Sequence, residues 1–252
     1  MSSDISISAC VVTYNDKGRA PVTIDSIVEN TSKYPLKFYV VDNASTDGTA
    51  DCIEKSGKTT VIRNKKNEGF GAAHNKVLGE EMGKYHFVIN PDITINSDVL
   101  SNMVDYFEEN PDVVMAMPKI LNSDGTEQKL PKERPTFKRL FLGRLSSKVR
   151  NEYVWAQREI TQPCEINFCT GCFFCIRADA FKKLSGFDQR YFMYLEDADL
   201  ALKAKSIGKV MMLPQFSVNH AWERESAKSL KFLLIHIVSC FKFLFKWRGK
   251  HK

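Results

Sequence analysis

Three carboxylates stand within four residues in Leu195-Glu196-Asp197-Ala198-Asp199-Leu200, directly after the aromatic run Tyr191-Phe192-Met193-Tyr194. Acids beside aromatic rings lose hydration, which raises a carboxylate pKa toward the range of a general base. A helix N-terminus also attracts acids through its dipole, and that accounts for one or two of them more readily than for three. Another acid, Asp92, closes Asn90-Pro91-Asp92 after an apolar run. One carboxylate on a fixed turn suits a divalent ion that bridges a diphosphate, and a helix-capping Asp in a βα loop fits the same residues. His220, in Ser217-Val218-Asn219-His220-Ala221-Trp222, closes a short strand, where it could be a ligand or a structural histidine.

Two further segments suit a nucleotide. Asp42-Asn43-Ala44-Ser45-Thr46-Asp47-Gly48-Thr49 puts a carboxylate able to accept from a base or ribose ahead of a Ser/Thr cluster, although a plain strand–turn–helix with Asx capping reads the same way. Asn67-Glu68-Gly69-Phe70-Gly71-Ala72-Ala73-His74-Asn75 is a glycine-rich turn opening a helix. Small residues there let backbone approach a ligand, and a helix N-terminus favours anions. Cys169, Cys172 and Cys175 invite a zinc reading, but no second ligand pair stands at finger or ribbon spacing, and the alternation along Phe173-Phe174-Cys175-Ile176 makes them strand core.

These residues need elements to hold them. Ile5 to Thr13, Lys37 to Asp42, Thr59 to Arg63 and Tyr85 to Asn90 read as strands, with helices over Ala20 to Asn30, Thr46 to Lys55 and Ala72 to Met82 between them. Asp47 or Thr46 is the expected N-cap of the second helix. Such alternation predicts a parallel sheet with crossover helices, and the ligand site of such a sheet lies at the carboxyl ends of its strands. Those ends carry TYN, DNAST and NPD. Farther on, Ser97 to Asn110 has helical spacing with Ser97 as expected N-cap, Val113 to Met117 reads as a short strand, and 123–162 reads as a loop-rich basic excursion over the site. Phe173 to Arg177 is strand-like, while Ala178 to Leu184 and Ala198 to Ile207 are helical.

The 252 residues are 43% hydrophobic and 26% charged, enough for one large domain or two small ones and unlike a disordered or multi-span membrane chain. No run is long and apolar enough for an ordinary transmembrane helix, and the first residues lack the basic and apolar regions of a secretory signal. The seven cysteines are an odd, scattered set, read as reduced thiols of a cytoplasmic protein. The net charge of +6 is unevenly spread: Lys228 to Lys252 holds seven basic residues and no acid, Lys129 to Arg150 has a net of +7, and the remainder sums to −8. An acidic body with two basic segments suits metal ions, phosphates or an anionic membrane surface, and it argues against nucleic acid as the partner.

Taken together and in order, VVTYN, VVDNASTDGT, NEGFGAAHN, INPD, TGCFFCIRADAF, GFDQRYFMYLEDADLALKAKSIG and the late His220 resemble glycosyltransferase family 2, over residues 5–225. The resemblance implies an α/β protein of the GT-A nucleotide-diphospho-sugar transferase fold, with a Rossmann-like, mostly parallel central sheet flanked by helices and a C-terminal amphipathic helix. It implies a nucleotide-sugar site of Thr13, Tyr14, Asn15, Asp42, Asn43, Ser45, Asn67, Gly69, Phe70, Gly71, Asn75 and Asn90. Asp92 and His220 would hold a divalent metal, Mg2+ or Mn2+, and Asp197, paired with Glu196, would be the catalytic base of an inverting transfer. Asn90-Pro91-Asp92 departs from the family's Asp-x-Asp, which implies weak metal binding of loose identity. With Arg134-Pro135-Thr136 downstream, it resembles the rhamnosyltransferase branch, which implies dTDP-L-rhamnose as donor and bacterial cell-surface polysaccharide synthesis. The alternatives are a UDP-sugar galactosyl or glucosyl transferase of the same fold, and a non-catalytic, membrane-associated partner of a transferase.

The resemblance implies a GT-A domain over 1–227, followed by a basic amphipathic, membrane-associating segment over 228–252. Phe232 to Trp247 is apolar but interrupted by His236, Lys242 and Lys246, and it ends in aromatic and basic residues suited to a membrane interface. A core helix with a solvated tail fits the same pattern. Phe137 to Leu145 is a second interfacial candidate, or a binder of a lipid diphosphate, or a mobile basic loop. The two segments suggest an acceptor on polyprenyl diphosphate, met by a cytoplasmic protein peripheral on the inner face of the membrane.

Overall fold

A computed structural model describes residues 5–130, 133–144, 146–221 and 230–249. Four strands form the parallel half of the sheet: β1 (Ile7–Thr13), β2 (Leu36–Asp42), β3 (Thr60–Arg63) and β4 (Tyr85–Ile89), in the order β3-β2-β1-β4. β1 and β4 are near-continuous apolar runs because helices cover both faces of the sheet, which leaves no solvent side to demand polar residues. Their crossovers are α1 (Ala20–Asn30), α2 (Thr49–Ser56) and α3 (Phe70–His74).

The sheet continues from β4 through β8 (Phe173–Arg177), β6 (Val113–Leu121), β9 (Lys209–His220) and β5 (Ile93–Thr94), with β7 (Cys164–Glu165) also on β9. β8 runs antiparallel to both β4 and β6, while β6 and β9 run parallel to each other. The remaining helices are α4 (Val99–Glu109), α5 (Phe137–Phe141), α6 (Ser147–Tyr153), α7 (Ala178–Lys183), α8 (Glu196–Ala204) and α9 (Leu230–Lys246). Among the described residues, no helix is long and apolar enough to cross a membrane.

Several boundaries differ from the sequence expectation for local reasons. α2 begins at Thr49 behind Gly48, whose φ of 84° only glycine adopts freely, and Asp47 accepts from the Thr49 amide (2.9 Å) outside the helix. α4 is capped by Asp98, not Ser97: the Asp98 carboxylate takes the Ser101 amide at 3.1 Å. α3 ends at His74 and tightens into a 3-10 turn to Gly79 instead of running to Met82, because Asn75 turns inward to bond Phe187. α8 begins two residues early, so Glu196, Asp197 and Asp199 all stand in its first turn. The excursion after β6 contains α5, a 3-10 turn and α6. None of the seven cysteines is in a disulfide, and Cys169, Cys172 and Cys175 lie in the core.

α9 packs on the body. Its Cys240 and Phe243 close a second apolar cluster with Leu140, Phe168, Tyr191, Leu195, Ala198 and Leu202.

Candidate active site

The carboxyl ends of β1 and β2 are joined by a side-chain bond. Thr13 and Asp42 are register partners, and the Thr13 hydroxyl donates to Asp42 Oδ1 at 3.1 Å, while the Ser45 amide donates to Oδ2 at 3.0 Å. An ionised carboxylate accepts about four bonds, so Asp42 keeps capacity for a ligand. Tyr14, next in the chain after Thr13, has half its surface in solvent. Asn15 joins the two loops: its amide donates to Ser45 Oγ (2.9 Å) and its Oδ1 accepts from the Thr46 amide (2.8 Å), at a left-handed φ of 58°.

Asn43 fastens the glycine-rich turn. Its Nδ2 donates to Asn67 Oδ1 (2.9 Å) and to the Gly69 carbonyl (3.2 Å), and its Oδ1 accepts from Asn64 Nδ2 (3.1 Å) and the Glu68 amide (2.9 Å). Asn43 and Asn67 therefore shape the site by holding its loops. Gly69 has φ +87°, and a Cβ there would lie 2.1 Å from the Phe192 carbonyl oxygen, which accepts from the Phe70 amide at 2.9 Å. Gly71 packs on Phe187 and Glu196 with no room for a side chain. Asn75 lies apart from the site surface: its amide makes two 2.8 Å bonds to the Phe187 backbone. The glycine-rich turn thus has a second purpose, docking α3 against the segment that carries the acids.

Asp92 and His220, far apart in sequence, come together at the β5–β9 pairing. His220 Nε2 lies 3.3 Å from Asp92 Oδ1, a buried oxygen with no hydrogen-bond partner. Gln128, which the sequence did not single out, holds His220 at two points. Its Nε2 donates to the His220 carbonyl (3.0 Å), and its Oε1 faces ring Nδ1 (3.0 Å). A carbonyl only accepts, so the amide orientation is fixed and Nδ1 must carry the proton. With Nδ1 so engaged, Nε2 is aimed at the Asp92 carboxylate oxygen that lacks a hydrogen-bond partner, and a cation held between the two would join them. Mixed N and O donors of this kind, with open positions for phosphate oxygens, fit Mg2+ or Mn2+. Among the described residues, no group of three or more His, Cys, Asp or Glu converges on a metal position, so this pair would need oxygens from the diphosphate or water.

The acids of α8 follow two consecutive non-glycine residues at left-handed φ, Tyr194 (73°) and Leu195 (68°). Such backbone is retained where its surroundings over-determine it. The turn presents Asp197 to a glycine: the Gly171 amide donates to Asp197 Oδ2 and the Ala198 amide to Oδ1, both at 2.8 Å. The next residue, Cys172, accepts from the Asn90 amide at 2.8 Å, so one turn joins the Asp92 strand end to Asp197. Glu196 is buried beside Asp197, with Oε2 unbonded. Loss of hydration raises both carboxylate pKa values, and for Glu196 the Asp197 charge adds to the effect. Asp199, the third acid, anchors a different part of the chain. It is fully buried and accepts from Lys246 (2.7 Å) and Trp247 (2.8 Å) of the C-terminal segment.

The family model for glycosyl transferase family 2 matches residues 8–185, and the chain belongs to that family. An N-acetylglucosaminyl-diphospho-decaprenol L-rhamnosyltransferase of Mycobacterium tuberculosis is 27% identical over 232 residues, covering 83% of this chain and 75% of that protein. Rhamnosyltransferase WbbL of Escherichia coli is 26% identical over 195 residues, 71% of each chain. Among solved structures, GalNAc-T7 with UDP, GalNAc and Mn2+ superposes with a TM-score of 0.73 at 16% identity, over 99% of this chain and 49% of that one. The mannosyltransferase PcManGT of Pyrobaculum calidifontis, with GDP-Man and Mn2+, gives 0.67 at 19% identity, over 97% and 65%. The fold is GT-A, and the protein is a glycosyltransferase.

Proposed function

We propose that this glycosyltransferase moves L-rhamnose from dTDP-L-rhamnose to a hydroxyl of a saccharide carried on polyprenyl diphosphate, with inversion, in bacterial cell-surface polysaccharide synthesis. The observation that carries the reaction class is the half-buried Asp197, raised in pKa and oriented by the Gly171 and Ala198 amides. The donor and acceptor are argued from the two rhamnosyltransferases to which the chain is similar, one of them named for a decaprenol-linked acceptor. Such an acceptor would be met at the cytoplasmic membrane face.

In the mechanism, Asp197 takes the proton of the acceptor hydroxyl, and that oxygen attacks the anomeric carbon from the face opposite the diphosphate. The bond from that carbon to the diphosphate oxygen breaks, and its electron pair leaves with the nucleoside diphosphate. One displacement inverts the anomeric centre with no covalent enzyme intermediate. Glu196, protonated at neutral pH by burial, keeps a second negative charge out of the pocket while Asp197 accepts the proton. Asp42 and Thr13 hold the nucleoside, and Tyr14 offers its ring to the base. Asp92 and His220 would hold a divalent cation, which would neutralise charge on the departing diphosphate.

A thermal-shift panel of dTDP, UDP, GDP and CDP, each with and without Mn2+, tests this reading. A ligand at a hundred times its Kd stabilises by about 2.7 kcal/mol, which at roughly 2–4 °C per kcal/mol is a clear displacement. A metal-dependent shift selective for dTDP is expected. A UDP-only shift overturns the sugar and leaves the reaction class, and no shift with any nucleotide overturns both in favour of a non-catalytic partner.

A further inference from the structure

The two faces of α9 meet different surroundings. Ser239, Cys240 and Phe243 are buried against the body, whereas Leu230, Leu234, Val238, Phe241 and Phe245 form one outward stripe, each at least half exposed. α5, from the other basic segment, extends that stripe. The Phe141 ring lies 5.6 Å from that of Phe241 and 4.8 Å from that of Phe137, which is 60% exposed. Exposed Lys138, Lys231 and Arg248 stand around it, and neither helix contains an acidic residue. A contiguous exposed apolar patch of this kind marks a docking surface, and the cations that the two basic segments place beside it favour an anionic occupant. Aromatic and aliphatic side chains between cations, on a helix that cannot span, match the interface of an anionic bilayer.

We propose that α5 and α9 form a single surface that seats on an anionic lipid bilayer; the proposal rests on the reading that the acceptor is lipid-linked. The inner face of α9 gives the seating its purpose. Ser239 Oγ donates to the Met193 carbonyl (2.7 Å), and Lys246 Nζ bridges Asp188 and Asp199 at 2.7 Å each. Trp247 Nε1 donates to Asp199 Oδ1 (2.8 Å), two residues from Asp197. One helix thus touches the bilayer with one side and holds the base-bearing segment with the other. That sets the Asp197 carboxylate at a fixed height above the membrane, where a headgroup-borne hydroxyl on a lipid carrier is presented.

The test is co-sedimentation of the full chain with vesicles of phosphatidylcholine and of an equimolar phosphatidylcholine–phosphatidylglycerol mixture. The wild type should bind the anionic vesicles preferentially and release in high salt. The double variant Phe241→Ser/Phe245→Ser should bind about tenfold or more weakly while its melting midpoint and dTDP shift stay as in the wild type. Lys138→Glu/Lys231→Glu, which leaves the apolar stripe intact, should weaken binding to anionic vesicles alone. Equal recovery of the wild type on neutral and anionic vesicles, or unchanged recovery of both variants, would overturn the proposal. So would a vesicle-free dimer that the Phe241/Phe245 variant dissociates, since the occupant would then be a second copy. Vesicle recovery needs no donor, so a failure of the nucleotide panel leaves this result standing, and the reverse also holds.

Discussion

Gln128 grips His220 at its carbonyl and at its ring Nδ1, both at 3.0 Å, and thereby aims Nε2 at Asp92. Groups that orient a metal-binding histidine commonly contribute about 10–100-fold to metal affinity. Gln128→Leu should therefore weaken Mn2+ binding by about that factor in titration calorimetry with the metal alone. Gln128→Glu, which can still accept from Nδ1, should recover part of it. Wild-type affinity in Gln128→Leu would show that the pairing is structural only.

Burial raises the pKa values of Asp197 and Glu196, so the native state binds their protons more tightly than the unfolded chain. The pair's contribution to stability is complete below the ordinary carboxylate range and is lost as pH rises through its folded values, about 6 for Asp197 and about 8 for Glu196. Melting midpoints should fall over that window, and less steeply in Glu196→Gln; parallel slopes would contradict this. The proposed mechanism needs ionised Asp197, so the acid limb of kcat/KM should centre near the raised value rather than at about 4.

Gly69→Ala forces a Cβ against the Phe192 carbonyl at a backbone φ of +87°. A loss of about 2 kcal/mol or more is expected, read as a lower melting midpoint and a reduced nucleotide shift. Gly18→Ala, with open space around its position, serves as the control and should leave both unchanged.

Asp199 is fully buried, and Lys246 and Trp247 both donate to it. Lys246→Met leaves a buried carboxylate short of its cation, a change that typically costs about 3–5 kcal/mol. It should also lower kcat more than it raises KM for the donor, because the strained Tyr194–Leu195 turn loosens beside Asp197. A stability loss with kcat intact would separate α9 from the base.

The sequence made the parallel half of the fold legible because its strands are apolar on both faces and end in polar turns, so β1, β2 and β4 fell within a residue or two of expectation. Pairings across the chain were not legible. Nothing in Thr126-Glu127-Gln128-Lys129 signals that Gln128 reaches His220, because that contact depends on how β6 and β9 lie side by side. Asn75 looked ligand-facing from its place in a glycine-rich turn, yet Gly186, at φ +62°, brings the Phe187 backbone against it. The third acid of the Glu196-Asp197-Ala198-Asp199 run stood out as one more than a helix dipole explains, and its partner was the C-terminal segment. The open choice between a membrane helix and a packed helix at the C-terminus had a physical reason: α9 buries one stripe and exposes another, and its sequence carries both signals.

Turnover of Asp197→Asn, with the nucleotide thermal shift measured on the same preparation, decides whether Asp197 is the base of an inverting sugar transfer. An unchanged shift is expected, with transfer reduced by about a thousandfold or more. Transfer within about tenfold of the wild type, with the shift intact, would remove Asp197 from that role.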